Sequence, residues 1–190
     1  GEAHPDLVRF NDLTGTGTVA LDYQGDLGGG IHVTAGAVGE LRTAFPLALA
    51  PRVALVFLPA PDVSTRLSYA EGTRAPDRYD MAALAQAIVG GQAGGAAPND
   101  DLKPERVRML EAGAGYAPSA ALKLSADVFA LRHEDARAAV VAEALRVPTN
   151  LAPRHVLGGE LVTRVEPQPG LTFDGGAALA RTIDGPDLAF

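Results

Sequence analysis

Residues able to do chemistry are scattered through this chain rather than gathered. His133-Glu134-Asp135 sets an imidazole beside two carboxylates, the donor types of a metal site. Yet adjacent residues on a strand point to different faces, and on a helix they converge poorly, so a solvated loop is the expected setting. His4, His32 and His155 are isolated, no pair has the i, i+4 spacing of a zinc helix, and there is no cysteine to complete a site. "GDLGGG" at 25–30 suggests a phosphate cradle but lacks the Lys-Ser/Thr ending and the glycine spacing of one, which predicts a hairpin turn. Ser64, Ser68, Ser119 and Ser125 sit in no Gly-x-Ser-x-Gly elbow, and the pairs Asp100-Asp101 and Glu134-Asp135 read as solvated loop charge. No catalytic residue, metal ligand or cofactor site is therefore expected, and enzymatic activity is not.

Composition narrows the classes further. The 190 residues are enough for one domain with a sizeable core. A net charge of -7 with no Lys/Arg cluster excludes a nucleic-acid footprint. The lack of cysteine excludes a disulfide framework. No run approaches the roughly 18 apolar residues of a membrane-spanning helix. The opening "GEAHPDLVRF" shows no signal pattern, as expected of a trimmed chain or of one that never crosses a membrane. Twenty-two Gly and 14 Pro, lying between patterned segments, predict many turns and favour strands over a helical bundle.

The elements that would carry these residues alternate in polarity. In "VSTRLSYAE", Val63, Thr65, Leu67 and Tyr69 share one face while Ser64, Arg66, Ser68 and Ala70 share the other. "ALKLSADVF" sets Leu122, Leu124, Ala126 and Val128 against Lys123, Ser125 and Asp127, and "HVLGGELVTRV" sets Leu157, Leu161 and Val165 against Glu160 and Arg164. Eight strands are predicted, near 18–24, 31–41, 51–58, 63–71, 105–116, 120–131, 154–165 and 170–182. "PAPD" at 59–62, "APS" at 117–119 and "EPQPG" at 166–170 read as hairpin turns, whereas 72–104 and 132–153 are long excursions. "DMAALAQAIVGG" at 80–91 predicts a short helix capped by Asp80. For 133–147, helix and extended chain are equally expected. A charged face could meet solvent in a sandwich or water inside a membrane barrel; the asymmetry of turns and loops favours the barrel.

From residue 50 onward the wording becomes specific. Ala50-Pro51-Arg52 opens one strand, Glu71-Gly72-Thr73-Arg74-Ala75-Pro76 closes the next, and Asn99-Asp100-Asp101-Leu102-Lys103-Pro104-Glu105 leads into another that continues to Glu111-Ala112-Gly113. Asn150 and Ala152-Pro153-Arg154-His155 anchor a later hairpin. Over roughly 50–182 this ordered series closely resembles the barrel of TonB-dependent outer-membrane receptors. Thr73 stands where that family usually has Phe, and Asp100 where it has Pro.

The resemblance implies an all-β fold: an antiparallel transmembrane β-barrel, partial or reduced, with 1–190 as a single barrel region and no plug domain. Such transporters use about 22 strands around a plugged lumen, many more than eight. It implies an outer-membrane location and uptake of metal chelates such as siderophores or cobalamin. The implied partners are outer-membrane lipid, a chelate ligand, and a TonB-type energy-coupling protein acting only through a plug domain. Arg66 and Ser68 would face a wet lumen and Tyr69 would face outward. Pro76, which cannot donate to a ladder, would end its strand at the extracellular rim. There Arg74, Arg78 and Tyr79 could contact an anionic chelate, the arginines as fork-like donors and the tyrosine as a stacking face. The alternative reading is a soluble or surface-attached antiparallel β domain that binds a ligand or partner without transport.

Overall fold

The structure, a computed structural model, describes residues 15–42, 45–76, 99, 101–142 and 145–183. These hold ten strands: β1 (Thr16–Gly28), β2 (Ile31–Arg42), β3 (Phe45–Ala60), β4 (Val63–Arg74), β5 (Glu105–Ser119), β6 (Leu122–Glu134), β7 (Arg137–Ala142), β8 (Leu145–Asn150), β9 (Arg154–Gln168) and β10 (Leu171–Ile183). Eight of them form one sheet in the order β1-β2-β3-β4-β5-β6-β9-β10, and β7 and β8 pair separately. Every pairing is antiparallel. The sheet is open, with β1 and β10 as its edges.

All eight predicted strands are present, extended to between 12 and 16 residues. In the undecided stretch 133–147, residues 133–134, 137–142 and 145–147 are strand. Val140 opposes Val147 in the β7–β8 hairpin, and β-branched side chains suit such a pleated pair better than a helix. His133 and Glu134 are the last residues of β6 rather than a solvated loop, and Asp135, at φ 53°, turns the chain out of the sheet. The predicted helix at 80–91 lies outside the described residues.

Tight turns at 29–30, 61–62, 120–121 and 169–170 all fall at one end of the sheet. The long connections from β4 to β5 and from β6 to β9 fall at the other. In the first turn, Gly28, Gly29 and Gly30 all have positive φ, a conformation that a side chain disfavours.

Residues that oppose one another in the register share a face. One face carries Asp22, Arg52, Arg66, Asp127 and Arg164. The other carries Leu21, Leu67, Val128, Leu161 and Leu179. Among the described residues, substantial strand-to-strand packing runs only between hydrogen-bonded neighbours, so the described sheet is a single layer. The apolar face is accordingly bare: Leu21 is 71% exposed, Val128 61% and Leu179 83%. Among the described residues, the buried apolar side chains are Leu102, Ala136 and Pro76, all beyond the strand ends.

The first turn supplies a test. A β-carbon on Gly30 would stand 2.6 Å from the Leu58 carbonyl oxygen, in a turn held by the Leu58 N–H donating to the Gly30 carbonyl at 2.8 Å. Gly30→Val is expected to lower folding stability by about 1–3 kcal/mol in urea titrations of the folded protein in detergent; an unchanged midpoint would refute the strain.

Candidate functional site

The polar face is organised by pairs that reach across a strand. Asp22, Gly36 and Arg52 stand in line over β1, β2 and β3, and Arg66, Gly113 and Asp127 over β4, β5 and β6. In both lines a guanidinium passes over the glycine to a carboxylate two strands away. Arg52 Nε donates to Asp22 Oδ1 at 3.1 Å, and Arg66 Nη2 donates to Asp127 Oδ1 at 3.0 Å and also to Glu111 Oε1. A β-carbon on Gly36 or Gly113 would land on the aspartate it now leaves clear. A third pair joins neighbouring strands, with Arg164 donating to Asp174 through Nε at 2.6 Å and Nη2 at 3.2 Å.

The Arg52–Asp22 and Arg66–Asp127 pairs are about a third to a half exposed, so each contributes at most about 1 kcal/mol, and the Arg164–Asp174 pair is open to solvent. Their larger effect is to set opposite charges side by side along the wall. Beside Arg66 the face hollows into a concavity of about 340 Å³ lined by Val56, Ser64, Arg66, Gly115, Ser125 and Asp127.

At the long-loop end, the segment before β5 is docked onto the β7–β8 hairpin. Asn150 is the centre of the joint. Its Oδ1 accepts from the Lys103 N–H at 2.8 Å, and its Nδ2 donates to the Lys103 carbonyl at 3.1 Å and to the Asp135 carbonyl at 2.7 Å. Asn99 Nδ2 donates to the Pro148 carbonyl at 2.8 Å. Glu105, first residue of β5, accepts from Arg137 Nε at 2.8 Å and from the Arg137 backbone N–H at 3.1 Å. Leu102 and Ala136 are buried at this joint, and Pro76 is buried at the end of β4.

Of the residues singled out for ligand contact, Arg74 is exposed at the end of β4, opposite Glu105 in the register. Arg78 and Tyr79 lie outside the described residues. Among the described residues no three His, Asp or Glu side chains gather as a metal site. Sequence reading had put Arg66 and Arg164 on the polar face but missed what they bind; the signal was the glycine on the strand between, readable only once the register is known. Asn99, Lys103 and Asn150, read separately along the sequence, are brought by the fold into one joint.

A single antiparallel layer with opposite polarity on its two faces and its two long connections gathered at one end is the wall of a β-barrel. Its family is that of the TonB-dependent receptor-like β-barrels, to which the chain belongs: the family model matches residues 6–187. Proteins of this family are transporters rather than enzymes.

Solved structures agree in fold. The siderophore receptor PirA of Pseudomonas aeruginosa superimposes with a TM-score of 0.75 at 14% identity, over 89% of this chain and 32% of that one. The FrpB iron transporter of Neisseria meningitidis gives 0.69 at 20% identity, over 89% and 26%. A mutant of the ferric enterobactin receptor PfeA of Pseudomonas aeruginosa gives 0.72 at 18%, over 95% and 29%. The chain thus spans about a third or less of the length of these receptors. A comparison with curated protein sequences gives no match.

The rim joint is testable on its own. Asn150→Ala removes three hydrogen bonds, an expected loss of about 1–3 kcal/mol confined to the rim. Hydrogen exchange at 101–103 and 136–151 should quicken while the sheet stays protected; uniform protection throughout would refute the joint.

Proposed function

We propose that this chain forms a single barrel region of an outer-membrane receptor that takes up metal chelates of the siderophore or cobalamin kind. The observation that carries the reading is the bare apolar face. A contiguous exposed surface of Leu, Val and Ala on an otherwise charged protein marks a membrane or a partner. A lipid-spanning wall must also satisfy its backbone polar groups internally, as the β ladder does everywhere but at its two edges. Strands of 12–16 residues exceed the roughly 9–11 needed to cross a bilayer with tilt. A soluble domain would need a second layer over this face, and none packs on it among the described residues.

In this reading the ion-paired face lines a wet lumen, and β1 and β10 meet further strands of the same receptor. The names of the structural neighbours, a siderophore receptor and an iron transporter among them, support the substrate class. Coupling to a TonB-type energy protein would run through a plug domain supplied by another part of the receptor. At the long-loop rim, Arg74, with Arg78 and Tyr79 nearby in sequence, would meet the anionic chelate. Arg74 suits this role by its exposure and its place on the lumenal side.

Two measurements test the proposal. Val128→Arg and Leu161→Arg, both on the apolar face, should each cost about 2–4 kcal/mol in folding into phosphatidylcholine vesicles. A protein that folds as a monomer in plain buffer and tolerates both changes would rule out the membrane. In the intact receptor, Arg74→Ala should weaken binding of at least one of a panel of ferric siderophores and cobalamin by about tenfold or more, as expected for loss of a charge-assisted hydrogen bond. Unchanged affinity across the panel would remove Arg74 from the ligand site.

A further inference from the structure

Charge on the apolar face is confined to one end. From the row Leu67–Ala112–Val128–Gly159–Leu179 down to the tight turns, no residue on this face of β4, β5, β6, β9 or β10 is charged. One row higher, Tyr69, Leu110, Ala130 and Leu157 line up with Arg181. The next row toward the long loops is Glu71–Arg108–Arg132–His155, and beyond it comes Thr73–Arg106–Glu134. Tyr69 marks the boundary, its hydroxyl donating to Glu71 Oε1 at 2.6 Å.

Cations outnumber anions in this belt. Glu71 lies 3.6 Å from Arg106 and 3.9 Å from Arg108, while Glu134 lies 3.4 Å from Arg108 and 2.8 Å from Arg132. Three guanidiniums thus share two carboxylates, and Arg181 adds a further positive charge at the edge. Two buried nitrogens here lack hydrogen-bond partners: Arg132 Nε, and Nδ1 of His155, which opposes Arg132 and is only 3% exposed. Buried polar atoms normally have partners, and leaving one without is costly. Directly below the belt runs a groove of about 330 Å³ whose lining includes Leu67, Leu110, Ala112, Val128, Ala130 and Leu157.

We propose that the belt and groove together bind a phosphate-bearing lipid of the leaflet on the long-loop side. Arg106, Arg108 and Arg132 donate to the phosphate, and an acyl chain of the same molecule fills the groove. The proposal rests on the reading that the apolar face meets hydrocarbon. Charge complementarity selects the headgroup, because guanidinium forks match phosphate oxygens and basic pockets at a membrane surface attract anionic lipids. The adjoining groove selects a lipid over a free anion, since inorganic phosphate would leave it empty.

The test uses the intact receptor in nanodiscs of phosphatidylcholine alone, or of phosphatidylcholine doped with phosphatidic acid, with retained lipid counted by native mass spectrometry. Phosphatidic acid should be retained selectively and should raise the unfolding temperature, whereas inorganic phosphate should do neither. Arg106→Gln combined with Arg108→Gln should cut retention by about tenfold or more. Arg106→Gln alone guards against misfolding, because that side chain is 42% exposed and its ion pair is long at 3.6 Å; it should cut retention severalfold. Lys123→Gln, which removes one charge from the polar face, should leave retention unchanged. Equal retention of both lipids, equal stabilisation by inorganic phosphate, or a double variant that binds like the wild type would overturn the proposal while the membrane reading stands. Failure to insert into phosphatidylcholine at all would overturn the membrane reading, and this site with it.

Discussion

Lateral pairing of the backbone is the constraint on which this structure depends. Among the described residues no second layer packs on the sheet, so packing of side chains between layers, the usual source of stability in a globular domain, does not hold it there. What remains is the hydrogen-bond ladder between neighbouring strands, unbroken in order from β1 to β10. A ladder of this kind leaves two open edges in water or lipid, and closure into a barrel is the arrangement that removes them. The fit of this chain to about a third or less of much longer receptor barrels accords with that requirement.

The two faces meet opposite demands with the same backbone. On the apolar face, side chains that would form the core of a soluble protein are displayed outward. On the polar face, charge is permitted but is paired off, and the pairing extends over distances that adjacent residues on neighbouring strands do not span. Gly36 and Gly113 make this possible, because the space above them is where Arg52 and Arg66 cross to Asp22 and Asp127. Exposed pairs of this sort add little stability. They do spread opposite charges along the wall, so that it carries no large field of one sign.

Order at the long-loop end has a different origin. Here the strands run out and their last carbonyls and N–H groups need other partners. Asn150 meets this need with a side chain that both donates and accepts, tying the chain before β5 to the turn after β6. Glu105 and Arg137 add a charged tie alongside it.

Period-two alternation with Gly and Pro punctuation was enough to locate all eight strands of the main sheet, because each strand keeps one apolar and one polar face and a slip of one residue would exchange them. The stretch 133–147 was ambiguous for the reason that Ala-rich segments serve helix and strand alike; only its pairing as β7 and β8 resolved it. Which strands stand side by side, and with what register, lies beyond local pattern. Register turned Gly113 into the gap under an ion pair and gathered Arg106, Arg108 and Arg132 into one belt from two different strands, while side-chain hydrogen bonds joined Asn99 and Lys103 to the β7–β8 hairpin. The sequence alone determined the faces, since polarity is a property of each residue; the tertiary structure decided the sites, since a site is made of residues far apart in the chain that only backbone pairing brings within reach.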